Sequence, residues 1–382
     1  MKILVLGAGR MGHGAVYDLA HNSVDVEAVT IADFDIKKAV EVAEKVGTNK
    51  IAPRRIDVSN YSDAADLMRG HDAVISCVNY WYNAALSKAA IETECNFCDL
   101  GGNNTVVREQ LALNEEAKKA GINIIPDCGL APGMVSILAM HGARKFDELE
   151  EIHIRVGGLP QKPKPPLDYQ LVFSVEGLIN EYIESARVIR DGKIREVESM
   201  TELETLAFDG FSSLEAFQTS GGTSTLPDTF LGKIRELDYK TIRYAGHCEK
   251  FKTMIDLGLC SSGEISVDHA KVTPRKVFGE LLQKNLPADE PDYVLVRLEF
   301  VGKTKRLRYD IVDKFDETTG LSAMMRTTAF PASIIAQMMA AGAASERGAI
   351  PQEKAINAEK FVAELERRNI NVKETLVISP KS

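Results

Sequence analysis

Three aspartates close apolar runs in the first third of the chain: Asp33 in "VTIADFD", Asp99 in "NFCDLGG" and Asp127 in "INIIPDCGLAPG". Carboxylates at strand ends suit contact with a cationic amine, for which Asp99 and Asp127 are the local candidates, although strand-end aspartates also cap the helices that follow. Cys128 stands beside Asp127. Further on, "LDYKTIRYAGH" gathers Lys240, Arg243 and His247. A guanidinium captures a carboxylate with two parallel hydrogen bonds, and a lysine or histidine can carry a proton. If this stretch is a strand, Tyr239, Thr241 and Arg243 share one face and Lys240, Ile242 and Tyr244 the other. Just upstream, "FQTSGGTSTLPDTF" is a Ser/Thr/Gly loop holding Thr223 and Ser224, whose backbone N–H groups could surround a carboxylate. Thr223, Ser224, Thr241, Arg243, Tyr244 and Cys128 are thus the candidate substrate contacts, with Asp99, Asp127, Lys240 and His247 the candidates for amine positioning and proton transfer.

Such groups need a frame, and the opening "MKILVLGAGRMGHG" supplies one. An apolar run stops at Gly7, and glycines recur at Gly9 and Gly12, matching G-x-G-x-x-G between a strand and a helix. The first glycine permits a tight turn, the second lets backbone approach a pyrophosphate, and the third packs helix on strand. Arg10 and Met11 open the helix whose free N–H groups face the anion. Asp33 ends the second strand about 20 residues past the last glycine, where a carboxylate accepts ribose hydroxyls. No Arg or Lys occupies the next two positions, Phe34 and Asp35, so NAD is expected over NADP. Asp57, with Val58 in "RRIDVSN", either reaches the adenine edge or caps a turn. Cys77 and Asn79 end the fourth strand in "DAVISCVN", and Tyr80, Trp81 and Tyr82 follow directly.

Strand-like and helix-like segments alternate over the first ~130 residues, the rhythm of βαβ units and a doubly wound parallel sheet. Beyond Gly133 the strands "EEIHIRVGG", "YKTIRYAGH", "YVLVRLEFVG" and "TKRLRYDIVD" are longer and alternate in polarity, as in a mostly antiparallel sheet with one wet face. The expected organisation is a Rossmann domain over 1–132, an inserted α+β substrate and dimerisation domain over 133–321, and helices over 322–382 returning to the first domain. At 382 residues the chain is long enough for two cores. A net charge of −9 argues against nucleic acid as a partner. No apolar run approaches the roughly 18 residues of a membrane span. Six cysteines are too sparse for a disulfide scaffold, which fits a reducing cytoplasm. Cys95 and Cys98 form a CxxC, but no second pair completes a zinc set, so no metal is expected.

"LVLGAGRMG", "CDLGG", "IIPDCGLAPGM", "FSVEGLINEY", "LEAFQTSGGTSTLP" and "YKTIRYAGHCEK", in this order, resemble the saccharopine dehydrogenase family, most closely its L-lysine 6-dehydrogenase branch. The resemblance implies an NAD-linked oxidation of an amino acid's ε-amine, an inserted substrate domain and a dimer or larger homo-oligomer. It also implies that Arg243, in the segment where the saccharopine reductases hold a carboxylate-binding arginine, takes the substrate's carboxylate. Where those reductases typically read GLDPG this chain reads "GLAPG", with Ala131 in place of an aspartate. An uncharged residue there suits a smaller substrate than saccharopine. A saccharopine or carboxynorspermidine dehydrogenase reaction on a secondary amine is the alternative within the family, and a non-enzymatic NAD sensor the alternative outside it.

Overall fold

The computed structural model describes residues 1–378. The chain divides into two compact units, Met1–Asp147 with Met325–Val372, and Glu148–Met324 with the segment beginning at Lys373.

The first unit begins as six strands and seven helices in alternation: β1 (Lys2–Leu6), α1 (Arg10–His21), β2 (Ala28–Asp33), α2 (Ile36–Val46), β3 (Ile51–Arg55), α3 (Tyr61–Met68) and β4 (Ala73–Ser76). There follow α4 (Asn83–Glu92), β5 (Asn96–Asp99), α5 (Asn104–Leu111), α6 (Asn114–Ala120), β6 (Asn123–Ile125) and α7 (Met134–Ala143). Four residues of β1 and all of β4 are buried, which is why these strands read as unbroken apolar runs: a parallel sheet is covered on both faces. β3 stops at Arg55, so Asp57 lies in the turn beyond it.

The second unit opens with β7 (Leu149–Pro160) and α8 (Val175–Ile183). It continues with β8 (Ala186–Arg190), β9 (Lys193–Val197), β10 (Glu204–Leu206), β11 (Leu214–Gln218), α9 (Leu226–Phe230), β12 (Glu236–Tyr244) and α10 (His247–Asp256). A short hairpin of β13 (Ile265–Val267) and β14 (Ala270–Val272), then α11 (Pro274–Asn285), β15 (Asp292–Gly302) and β16 (Lys305–Lys314) complete it. Buried and exposed residues alternate along β16, the signature of a sheet with one solvated face.

The chain then returns through α12 (Ala323–Ala340), β17 (Gly348–Ala349), α13 (Gln352–Ala355), α14 (Ala358–Arg367) and β18 (Lys373–Ile378). β17 extends the parallel sheet of the first unit to the order β17-β6-β5-β4-β1-β2-β3. β18 pairs with β16 instead, giving the main path β10-β11-β12-β7-β15-β16-β18 of the second unit's sheet. That sheet is antiparallel except where β12 runs parallel to β7. The residues from 322 onward therefore do not all rejoin the first unit, and α7 belongs to the first unit although it follows residue 132.

α12 and the segment after α14 are pinned on α1 by a buried polar knot. Asp18, with no exposed surface, accepts from Ser333 Oγ at 2.5 Å and from Arg368 Nε at 2.6 Å. α1 comes close enough to α12 that a Cβ at Gly14 would stand 2.9 Å from the Ala329 Cβ.

Candidate active site

The strand order of the parallel sheet reverses between β1 and β4, and in open α/β sheets ligands bind at the carboxyl ends of the strands beside such a switch point. The glycine turn after β1 is shaped accordingly. Gly7 has φ +96°, and a Cβ there would stand 2.8 Å from the Cys77 carbonyl oxygen. A Cβ at Gly12 would fall 1.8 Å from the Gly7 carbonyl oxygen, whereas Gly9 has no atom within 4 Å of its Cβ position. Two glycines are therefore required by the protein itself, and the middle one opens onto free space. No side chain caps the N-terminus of α1, where Gly9 is followed by exposed Arg10 and half-buried Met11. These features fit a dinucleotide pyrophosphate at a helix N-terminus.

Asp33 sits at the tip of β2 with Oδ2 accepting from the Ala8 amide at 2.7 Å and Oδ1 from the Asp35 amide at 2.9 Å. Its carboxylate is thus fixed beside the glycine turn. Arg55, which sequence spacing did not bring into view, pairs with Asp33 across the β2–β3 ladder. Its guanidinium lies 5.5 Å from the ring centroid of Phe34, which is 63% exposed. The absence of Arg or Lys immediately after Asp33 is therefore an incomplete test of cofactor choice, because a neighbouring strand delivers the cation.

Asp57 caps a turn: its Oδ1 accepts from the Ser59 amide at 3.0 Å and hydroxyl at 2.6 Å, and these bonds hold its carboxyl below the usual range. Val58 packs against the apolar core of the first unit. Cys77 continues β4 with its amide on the Leu6 carbonyl at 2.7 Å, and burial pushes its thiol far up. Asn79 is exposed ahead of the single 3-10 turn Tyr80–Tyr82, and Trp81 is 54% exposed with Tyr80 against it edge-on.

Asp99 is wholly buried and fully engaged. Its Oδ1 accepts from the amides of Gly101 at 2.7 Å and Asp127 at 3.2 Å, and its Oδ2 from Gln110 Nε2 at 2.7 Å. Burial pushes its carboxyl up against the pull of those three bonds. It braces the loops after β5 and β6, which is a correction to its expected part in proton transfer. Asp127 adopts a left-handed backbone, φ 60°, one that aspartate tolerates, and its Oδ1 lies 2.0 Å from where a Gly101 Cβ would stand. Cys128 is buried with its Sγ on the Ile125 carbonyl at 3.1 Å, and burial raises its thiol well above the ordinary range, so it is inert packing. Cys95 and Cys98 are buried thiols, and among the described residues no three His, Cys, Asp or Glu gather as a metal site.

In the second unit β12 separates its residues by face, and the two faces do different things. On one, Lys240 Nζ donates to Glu204 Oε2 at 2.8 Å and to the Glu202 carbonyl at 2.6 Å. Arg155 holds the same Glu204 at 2.5 Å and Asp238 at 2.7 Å, and Asp238 also meets His153 at 2.9 Å. Lys240 belongs to this buried ion network and is not the expected proton carrier. Tyr244 points to the same face and donates to the Pro160 carbonyl at 2.9 Å, so it does not stand with Arg243.

On the other face Arg243 is 3% exposed. Its Nε donates to Tyr182 Oη at 2.8 Å, its Nη1 to the Ile242 carbonyl at 2.9 Å, and its guanidinium carbon lies 4.8 Å from the Tyr169 ring centroid. Among the described residues no carboxylate forms an ion pair with it, and its Nη2 donates to nothing. Burying a charge without a partner is expensive, so a buried arginine in this state is suited to an anion from outside. His247 is buried beside it with Nδ1 at 2.9 Å from the Leu167 carbonyl and Nε2 at 3.1 Å from Tyr182 Oη. Burial, reinforced by the charge of Arg243, pulls its imidazole down to about 3. A neutral ring that donates from Nδ1 to the Leu167 carbonyl and accepts Tyr182 Oη at Nε2 orients Tyr182 and is not the expected proton carrier, another correction. Thr241 Oγ1 meets Thr219 Oγ1 at 2.8 Å and Glu181 Oε1 at 2.7 Å. Thr223 Oγ1 is spent on the Arg187 carbonyl at 2.9 Å, and Ser224, at φ 41°, offers its carbonyl to Arg187 at 3.4 Å, so these two shape the loop. Glu181 and Tyr182 end "FSVEGLINEY" but drew no role from the sequence, because α8 is a separate element brought to β12 only by folding.

The fold and the glycine turn define a dinucleotide-binding α/β protein carrying an inserted second unit. Residues 3–125 match the saccharopine dehydrogenase NADP binding domain and residues 129–370 the saccharopine dehydrogenase C-terminal domain, so the chain belongs to the saccharopine dehydrogenase family. It is 26% identical over 268 residues to the Saccharomyces cerevisiae saccharopine dehydrogenase [NADP(+), L-glutamate-forming], covering 68% of this chain and 58% of that protein. It is 27% identical over 175 residues to the carboxynorspermidine synthase of Vibrio cholerae, 40% of this chain and 42% of that protein. The apo saccharopine dehydrogenase (L-Glu forming) of S. cerevisiae superposes with a TM-score of 0.81 at 22% identity, over 98% of this chain and 99% of the other. The homospermidine synthase of Legionella pneumophila in complex with NAD gives 0.70 at 13%, over 98% and 91%. Both share the fold.

Proposed function

We propose that this protein oxidises the ε-amine of L-lysine with NAD, giving 2-aminoadipate 6-semialdehyde and ammonia. The observation that carries the reading is Arg243, a buried guanidinium with no carboxylate of its own, aligned for the α-carboxylate of a small amino acid. Ala131, where the saccharopine reductases typically carry an aspartate, supports a substrate without the second amino-acid half of saccharopine.

The ε-amine must be neutral before its carbon gives up hydride, and we assign that proton to Asp127, which follows β6 at the carboxyl end of the parallel sheet. A dinucleotide held at the Gly7–Gly12 turn and by Asp33 would supply the hydride acceptor. Arg243, which Tyr182 braces, would hold the carboxylate end. Water adds to the resulting C=N bond and ammonia leaves, with the proton and hydride balancing the two-electron oxidation. NAD is the preferred dinucleotide because the fixed Asp33 carboxylate repels a 2′-phosphate. Arg55 beside it favours a second reading, in which NADP is also accepted.

The test is reduced-cofactor absorbance with lysine, with saccharopine and with carboxynorspermidine, each run with NAD and with NADP. Growth with lysine and NAD supports the reading. Signal only with the secondary amines transfers the assignment to the family's other reaction, and silence with every amine leaves a nucleotide sensor.

A further inference from the structure

One carboxylate in the second unit has no task in the scheme above. Glu181, on α8, accepts at Oε1 from Thr241 Oγ1 at 2.7 Å. Thr241 has one hydroxyl proton and two oxygen partners, the Glu181 carboxylate and the Thr219 hydroxyl; a carboxylate only accepts, so Thr241 gives its proton to Glu181 and receives that of Thr219 at 2.8 Å. The other oxygen, Oε2, accepts nothing among the described residues. Next to Glu181 in sequence, Tyr182 receives Arg243 Nε at 2.8 Å. α8 and β12 are thus joined by two rungs, Glu181 to Thr241 and Tyr182 to Arg243, which set an anion and a cation side by side. Burial disfavours the charge on Arg243, and Glu181 is near enough to support it together with the Tyr182 and Tyr169 phenol oxygens, but no ion pair closes between them. The rungs hold them apart: Thr241 restrains the carboxylate, while Tyr182 and the Ile242 carbonyl restrain the guanidinium. The Ser/Thr/Gly loop hangs from the same helix, with the Ser220 amide on the Glu181 carbonyl at 3.0 Å and its hydroxyl on the Asn180 carbonyl at 3.3 Å.

We propose that Glu181 Oε2 binds the substrate's α-ammonium while Arg243 binds its α-carboxylate, so that the second unit reads the zwitterionic head of an α-amino acid. The inference rests on the lysine reading above and sharpens it. A guanidinium alone admits any carboxylate, and a carboxylate alone admits any amine. The two held apart favour a molecule that carries both charges close together.

6-Aminohexanoate keeps the carboxylate and the oxidisable amine of lysine and lacks only the α-ammonium. The wild-type enzyme is expected to favour lysine over 6-aminohexanoate roughly 10- to 100-fold in kcat/KM, the usual worth of a hydrogen bond to a charged group. In Glu181→Gln that ratio should fall toward one, with lysine losing and 6-aminohexanoate held within about threefold. Equal use of the two substrates by the wild type, which needs no variant, overturns the assignment, as does an unchanged ratio in a folded Glu181→Gln protein. Lack of any lysine oxidation by the wild type overturns the lysine reading itself, and the two failures are thereby told apart.

Discussion

Arg243 shows how a residue's purpose can be inferred from what it lacks. Its neighbours are phenols, a backbone carbonyl, a neutral imidazole and the nearby Glu181 carboxylate, none of which closes an ion pair with it. Arg243→Met should cut kcat/KM for lysine about 10²- to 10³-fold, mainly through KM. An unchanged KM in the folded variant would mark the arginine as structural. His247 gives a pH prediction with a definite sign. Its pKa is about 3 in the folded protein, against 6.5 as the ordinary value. The unfolded chain therefore binds a proton that the folded one refuses, so stability is full above 6.5 and is lost as pH falls toward 3. Denaturant midpoints across this window should show a shallower acid decline in His247→Gln than in the wild type.

Among the elements, α1 carries two burdens, one at each end. Its first turn faces the dinucleotide position, and its last turn buries Asp18 against Arg368 and Ser333. Breaking a buried ion pair from one side costs about 3–5 kcal/mol, so Arg368→Ala should lower the unfolding free energy by that amount in a chemical denaturation curve. The glycine spacing made the first turn legible, because steric needs at Gly7 and Gly12 fix residue identity locally. Local rules also made the parallel strands readable as apolar runs. They failed where a neighbour arrives from another element. Arg55 bonds the carbonyl of Phe34 from 21 residues away, and Lys240 met its acidic partner, Glu204 on β10, only once the sheet was formed. Alternation along β12 did predict which residues share a face; it could not say that the Lys240 face is a closed ion network and the Arg243 face an open one.

At the scale of the whole molecule, the sequence announced two sheets of different character and a return of the chain, since periodicity records how many faces of a strand are buried. The route of the return was less visible. α12 and α14 rejoin the first unit, whereas β18 takes the edge of the second unit's sheet, a choice set by pairing with β16 that no local pattern in "KETLVI" announces. The insertion also bears on how the protein is made. Asp18 leaves the ribosome long before its partners, with Ser333 315 residues later and Arg368 350 residues later. The usual order of synthesis, in which an amino-terminal domain folds as soon as it emerges, is closed to the nucleotide-binding unit. It must wait, with α1 uncovered and an aspartate unpaired, until Glu148–Met324 of the second unit has been translated, so the half that emerges first can finish only after nearly all of the other has been made.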